Sequence, residues 1–297
     1  MNRVFESSQH RRVFFAATAL LLIVLVSLRI YLSGPPAEGQ SDSAHWISLI
    51  DNVLSGLFAA ILVGIAIFVF RPRRTAEENI SHLNANEIVP AFNAVLPEST
   101  RWLFAGNRGR YLRSKVVPTL ASQAGSSAVE AILIDPCSES ACQSFVDYKL
   151  SSNKIPERDD AVTLDYVKSQ LLATIAVCSC FQRNPHISIS LYLSNRFSPI
   201  RIDSNMVTTF MTVENKREPA LKVLYPYFFH DWIMYHLSVR KSQSRHISLP
   251  SVSARIPSDL NINDMYIVCS AVGFDKSNKE IIASALRSAK SNSDPYA

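Results

Sequence analysis

Glycine is scarce in this chain of 297 residues, with eight in all. Four of them, Gly106, Gly109, Gly125 and Gly273, lie beyond residue 74. Phosphate loops built on repeated glycine therefore have little material. The one glycine-bearing turn that follows an apolar strand pattern has no Gly-Lys-Ser/Thr after it and lacks the full dinucleotide fingerprint. Cysteine is also sparse: Cys137, Cys142, Cys178, Cys180 and Cys269. Neither Cys137-x4-Cys142 nor Cys178-x-Cys180 has a nearby histidine or second cysteine pair at zinc spacing. A reducing compartment argues against disulfides, so buried thiols are expected. No histidine sits in a Gly-x-Ser-x-Gly or His-Glu-x-x-His context. No cofactor or metal is expected, and no catalytic residue is assigned.

Two long apolar runs stand out at 13–33 and 46–70, each with a single charge, Arg29 and Asp51. A bilayer core needs roughly 20 apolar residues in a helix, so both runs are long enough to span it. Arg3, Arg11 and Arg12 flank the pair on one side, and Arg71, Arg73 and Arg74 on the other. The connecting loop 34–45 has no lysine or arginine. Positive charge stays inside, which predicts a multi-pass inner-membrane protein with both termini cytoplasmic and the lipid bilayer as a partner. A signal peptide is the competing reading, opposed by the length of the first run and the second run behind it. Asn52, Gly56, Ala60 and Gly64 form a stripe of small residues on the second run, a face suited to the first span or to a homo-oligomer. Arg29 and Asp51 fall at similar depths in an antiparallel hairpin and are expected to pair.

The net charge is +5, of which residues 1–74 hold +3, leaving +2 for the remainder. The basic balance thus reports topology, and nucleic acid is not an expected partner. The roughly 225 residues that follow suffice for one large or two small domains. Thr75 and Glu78 suggest a capping box opening a juxtamembrane helix, interrupted at Pro90 and closed at Pro97. Strands are expected at 101–105, 128–134, 186–193, 199–202, 206–211 and 266–271. Helices are expected at 110–123, 138–150, 161–181, 225–244 and 278–290. This alternation predicts an α/β layered sheet with flanking helices behind the two-helix hairpin. The organisation is a hairpin at 1–74, a helical linker at 75–100 and an α/β domain at 101–297.

The most suggestive stretch runs from Trp102 to Arg113. A strand, a turn holding Gly106, Asn107, Arg108 and Gly109, and then a helix is an arrangement in which backbone N–H groups meet an anion. Arg108, Arg110 and Arg113 add fork-shaped donors suited to phosphate. Asp135 ends the second strand, where an acidic residue can hold ribose hydroxyls. Arg196, Arg201 and Asp203 flank later strands and fit either a charged cleft or a surface ion pair. A solvated βα turn is the plain alternative for the whole stretch.

The alternation from Trp102 to Asp135, with the later strand and Arg201-Ile-Asp203, resembles the half-domain of phospholipase D-like proteins. That family's covalent chemistry uses a His-x-Lys-x4-Asp motif, and no histidine here is followed by lysine at that spacing. The resemblance therefore implies a binding-only relative. The layout of two-helix anchor and cytoplasmic domain resembles membrane effectors of bacterial nucleotide-signalled antiphage defence. These observations predict a domain that senses a phosphate-bearing ligand, such as a nucleotide, and signals to the hairpin through 75–96. A phosphodiesterase or nucleotide hydrolase using His230 or His186 with Asp135 is one alternative. A scaffold recruiting a partner through the aromatic helix 225–235 is the other.

Overall fold

The computed structural model describes residues 23–24, 26–31, 48, 51–53, 55–56, 79–152, 162–215 and 218–291. The chain divides into two units, Met1–Arg74 and Thr75–Ala297. In the first unit the described residues are helical, and Arg29 donates from Nε and Nη2 to the two carboxylate oxygens of Asp51, at 2.5 and 3.3 Å. The expected fold class needs correction here. Among the described residues no helix is long and apolar enough to cross a membrane. Hydropathy counts apolar side chains, whereas a span needs an unbroken helix of about 20 residues. Most of 13–33 and 46–70, with Ala60 and Gly64, lies outside the described residues. A Cβ built on Gly56 meets nothing within 4 Å, so no packing partner of the small-residue stripe is found among the described residues.

In the second unit, alternating side chains build an eight-stranded mixed sheet. Its strands are β1 (Ile80–Leu83), β2 (Arg101–Ala105), β3 (Ser127–Ile134), β4 (Ile187–Ser194), β5 (Ile200–Ser204), β6 (Thr208–Val213), β7 (Ala220–Leu224) and β8 (Arg245–Ile247). The spatial order is β1-β7-β6-β5-β2-β3-β4-β8. Only β2, β3 and β4 run parallel to one another, and every other pairing is antiparallel. Along β2, Trp102 and Phe104 enter the larger core while Leu103 and Ala105 join a smaller one on the opposite face. This is the period-two signature of a sheet covered on both sides.

The larger core is roofed by α1 (Ala85–Val95), α2 (Val117–Ala121), α3 (Glu139–Ser152), α4 (Leu164–Cys180), α6 (Ile262–Val272) and α7 (Lys279–Ser291). On the other face α5 (Phe228–Ser242) packs Ile233 and Leu237 against Ile132, Ile202 and Val223. Helix α4 is buried almost all round, from Val167 to Cys180, which suits a central helix.

Residues 79–100 are not a linker. β1 pairs with β7, and Ile88, Phe92 and Leu96 enter the core. The capping box is Asn84–Glu87, with Asn84 N–H donating to Glu87 Oε2 at 2.7 Å; Thr75 lies outside the described residues. Pro90 sits inside α1 without breaking it, because one lost backbone bond is offset by the burial of Ile88 and Phe92. The strand expected at 266–271 is helix α6. Its β-branched run is overridden by caps at both ends: Asn261 accepts from Asn263 and Asp264 N–H, and Gly273 closes it at φ 80°.

Gly109 is the backbone constraint of the turn after β2. Its φ is +66°, and an added Cβ would lie 2.9 Å from Thr174 Cγ2 and 3.0 Å from Leu133 Cδ2. Gly109→Ala should lower stability by about 1–3 kcal/mol through strain and crowding together. Gly125→Ala, with open space around it, should stay within about 0.5 kcal/mol. Urea unfolding of both variants checks this, and equal losses would refute the assignment.

Candidate functional site

The turn after β2 opens onto a cleft of about 90 Å³ lined by residues from distant parts of the chain. Arg108, Gly109, Arg110 and Tyr111 come from the turn and the helix it starts, Lys149 from α3 and Arg201 from β5. Thr212, Val213, Glu214 and Asn215 come from the end of β6, and Ala85 and Ile88 from α1. The topology explains the convergence. β5 and β6 are antiparallel neighbours with Arg201 opposite Thr212, and β5 runs antiparallel to β2 with Ile202 opposite Ala105. The cleft therefore lies at the carboxyl end of β2, where the sheet changes from parallel to antiparallel pairing. Ligands of layered sheets gather at such ends and switch points.

The turn is held from beneath. Thr174 of α4 donates from Oγ1 to Arg108 O at 2.6 Å, and Ile134 N–H donates to Asn107 O at 3.3 Å. Gly106 lies so close to Phe104 that an added Cβ would sit 2.5 Å from the ring. Asn107 is buried and donates from Nδ2 to Ser198 O at 3.1 Å and Glu214 Oε1 at 2.8 Å. Its role is to tie β2 to the β6 end, and its side chain does not line the cleft.

The cations of the cleft are held in different ways. Arg201 makes a two-point ion pair with Asp203, 2.5 Å from Nε and 3.0 Å from Nη2. Its guanidinium lies 5.5, 5.3 and 5.6 Å from the ring centres of Phe92, Phe104 and Tyr111. Asp203 is fully buried and also accepts from Trp102 Nε1 at 3.2 Å, so this is no surface ion pair. Arg108 stands 4.9 Å over the Phe145 ring and 3.8 Å from Glu214 Oε2. Lys149 donates from Nζ to Glu214 O at 2.5 Å. The Arg110 side chain makes no ion pair or hydrogen bond among the described residues and faces the cleft. With Arg201 balanced by Asp203, Arg108, Arg110 and Lys149 stand against the Glu214 carboxylate and leave the lining net positive.

Three of the seven residues read from the sequence, Arg108, Gly109 and Arg110, reach the cleft. Gly106 and Asn107 support the turn from behind. Arg113 and Asp135 are elsewhere. Arg113 is buried against α4, donating from Nη1 to Gln170 O and Thr174 Oγ1 and from Nη2 to Gln170 Oε1, at 3.0, 3.1 and 2.7 Å. A π-helical segment, Leu112–Val116, begins just before it. Burial first, then repulsion from Arg110 and Arg108, pushes Arg113 down to about 9. Asp135 accepts from Cys137 N–H at 2.9 Å and pairs with Arg245 at 2.8 Å. Lys149 and Glu214 carried no signal in the sequence, because each is an ordinary polar residue far along the chain from the turn.

The hydrolase arrangement does not assemble. His186 precedes β4 while Asp135 follows the parallel strand β3, so eight residues of strand, roughly 26 Å at 3.3 Å each, separate them. His230 is buried, and neither ring nitrogen has a hydrogen-bond partner among the described residues. Burial pushes the Cys142, Cys178 and Cys180 thiols up to about 12 and Cys269 to about 11, which removes them as nucleophiles at neutral pH. Cys137, expected to be buried, is exposed. On α5, Phe228, Trp232 and Tyr235 form an exposed stripe at helical spacing.

No protein-family model and no curated protein matches the chain. Among solved structures it is similar to TrmBL2, described as an archaeal chromatin protein whose structure shows a novel mode of DNA binding. The TM-score is 0.32 and the identity 10%, over 75% of this chain and 80% of that one. A likeness of that size carries no argument about this chain. The sequence-based exclusion of nucleic acid rested on net charge alone and is withdrawn.

The contrast between two arginines one turn apart is testable. Arg113→Ala removes three buried hydrogen bonds and should lower stability by about 3 kcal/mol. Arg110→Ala should change it by less than about 0.5 kcal/mol. A base whose folded value is depressed penalises folding while it is charged, and for Arg113 that penalty lifts only as pH rises through about 9. The difference between the variants in denaturant unfolding should therefore be flat across neutral pH. Similar losses at both positions would refute the assignment.

Proposed function

We propose that the Thr75–Ala297 unit binds a phosphate-bearing small molecule in the cleft after β2 and serves as a ligand sensor, with nucleotides as the first class to examine. The observation that carries this reading is the convergence of Arg108, Arg110, Lys149 and Arg201 on one cleft at a strand end. Guanidinium groups match phosphoryl oxygens in geometry and charge. Arg110 supplies a cation with no ion-pair partner among the described residues, while Arg201 is held rigid by Asp203 and three aromatic rings. The cleft is far smaller than the ~300–1,000 Å³ of sites that enclose whole drug-sized ligands. It suits a phosphoryl group and a few further atoms, the rest of the ligand lying outside. Ala85 and Ile88 line it too, so occupancy bears directly on α1. For binding to signal, two states of the unit must differ in affinity.

A second reading is supported by the exposed Phe228, Trp232 and Tyr235, at 69%, 55% and 70%. Exposed aromatic stripes of this kind suit a protein partner, which makes α5 the docking face in a scaffold role.

The sensor reading is tested by calorimetry of the full chain against nucleoside mono-, di- and triphosphates. Arg110→Ala should weaken the ligand that binds by about 10- to 100-fold, given about 1.5–3 kcal/mol for a charged hydrogen bond. Arg110→Lys should recover part of that, since it restores the charge without the fork. Unchanged affinity in a folded Arg110→Ala variant would take the cleft out of the binding site.

A further inference from the structure

One lining residue has the wrong sign for a bare phosphate. Glu214 holds its carboxylate at the cleft, with its side chain only 13% exposed. It is fixed from two directions. Asn107 Nδ2 donates to Oε1 at 2.8 Å, and Lys149 Nζ donates to the Glu214 backbone carbonyl at 2.5 Å. Oε2 stands 3.8 Å from Arg108 Nη2, beyond hydrogen-bond distance. A carboxylate offers about four acceptor positions, and one is taken here by a hydrogen bond from Asn107. An anchored acceptor among phosphate-binding cations repels a second phosphoryl group but welcomes a hydroxyl.

We propose that the cleft takes a phosphate monoester carrying a hydroxyl close to the phosphate, with Arg110 and Arg108 on the phosphoryl oxygens and Glu214 accepting from the hydroxyl. This rests on the phosphate reading above and narrows it to sugar-phosphate-like chemistry, at the expense of inorganic phosphate and polyphosphates. The small cleft volume agrees, since a phosphoryl group with a short hydroxylated stub is the portion it accommodates.

Calorimetry of the full chain with glycerol phosphate, methyl phosphate and pyrophosphate tests it. Glycerol phosphate should bind about tenfold more tightly than methyl phosphate, the worth of one charge-assisted hydrogen bond, and pyrophosphate should bind worst. Glu214→Gln should shrink the glycerol-to-methyl ratio several-fold and strengthen pyrophosphate, with a cooperative urea unfolding transition as evidence of an intact fold. Should that variant fail to fold, the order of the three probes on the unmodified chain decides alone. Equal affinities with a persistent dependence on Arg110 would overturn this inference and leave the phosphate reading standing. Binding of no probe and no nucleotide in an Arg110-dependent way would overturn the phosphate reading itself. Inositol phosphate in solution, compared with phosphatidylinositol phosphate in phosphatidylcholine vesicles, separates a free ligand from a lipid headgroup. Glu214-dependent binding in either form supports the class, and Glu214-independent binding in both overturns it.

Discussion

The buried carboxylate of Asp203 is the constraint around which the second unit is arranged. A charge at the centre of a sheet is tolerated only when paired and hydrogen-bonded, and Asp203 meets that demand through Arg201 and the Trp102 indole. These contacts couple β5 to β2 through side chains as well as the strand ladder. Arg201 in turn needs a dry, planar surround, and it has one in Phe92, Phe104 and Tyr111. Phe92 brings α1, and Tyr111 brings the helix after the turn. The face of Arg201 left over is what the cleft sees.

The turn itself is decided by what lies beneath it. Gly109 must be left-handed because Thr174 and Leu133 occupy the space a side chain would use. Thr174 also takes the Arg108 carbonyl, so α4 sets the height at which Arg108 and Arg110 emerge. Arg113 then anchors the helix to α4 through Gln170 and Thr174. Arg113 N–H makes an α-type bond to Gly109 O at 3.0 Å, so Arg110 and Arg113 lie about one turn apart on neighbouring faces. Arg113 is held against α4 by its hydrogen bonds to Gln170 and Thr174, while Arg110 lines the cleft.

The cleft and the aromatic stripe of α5 lie on different layers of the sheet, so the two functional readings do not compete for the same residues. The cleft has convergent charge, fixed acceptors and little volume, which is the character of a small-ligand site. The stripe on α5 has area and no convergent polar groups, which is the character of a contact surface. Glu214 joins the two sides of the cleft, through Asn107 on the turn and Lys149 on α3. A ligand that alters its carboxylate bears directly on the turn, through Asn107.

Much of the second unit was legible locally. β2, the turn, the helix that begins at Arg110, β3, α3, α4 and β4 follow from side-chain period and from the residues that open and close each element. Those relations span two to four positions, so the amino-acid sequence determines them by itself. The short edge strands β1 and β8 were missed because each acquires its conformation from a partner far away in the chain, and β7, which pairs with its chain neighbour β6, was missed as well. Residues 266–271 were misread because a β-branched run outweighed caps that become visible only once the helix exists. The hairpin was inferred from hydropathy, and most of 13–33 and 46–70 lies outside the described residues. Arg113 and Arg110 are chemically identical and three residues apart, and only packing against α4 separates core from cleft. Arg201 and Glu214 join the site because strand pairing brings β5 and β6 beside β2, and Lys149 joins it from α3 through its bond to the Glu214 carbonyl. Such long-range pairing is an energetic outcome of the whole sheet, and no local pattern in the chain encodes it.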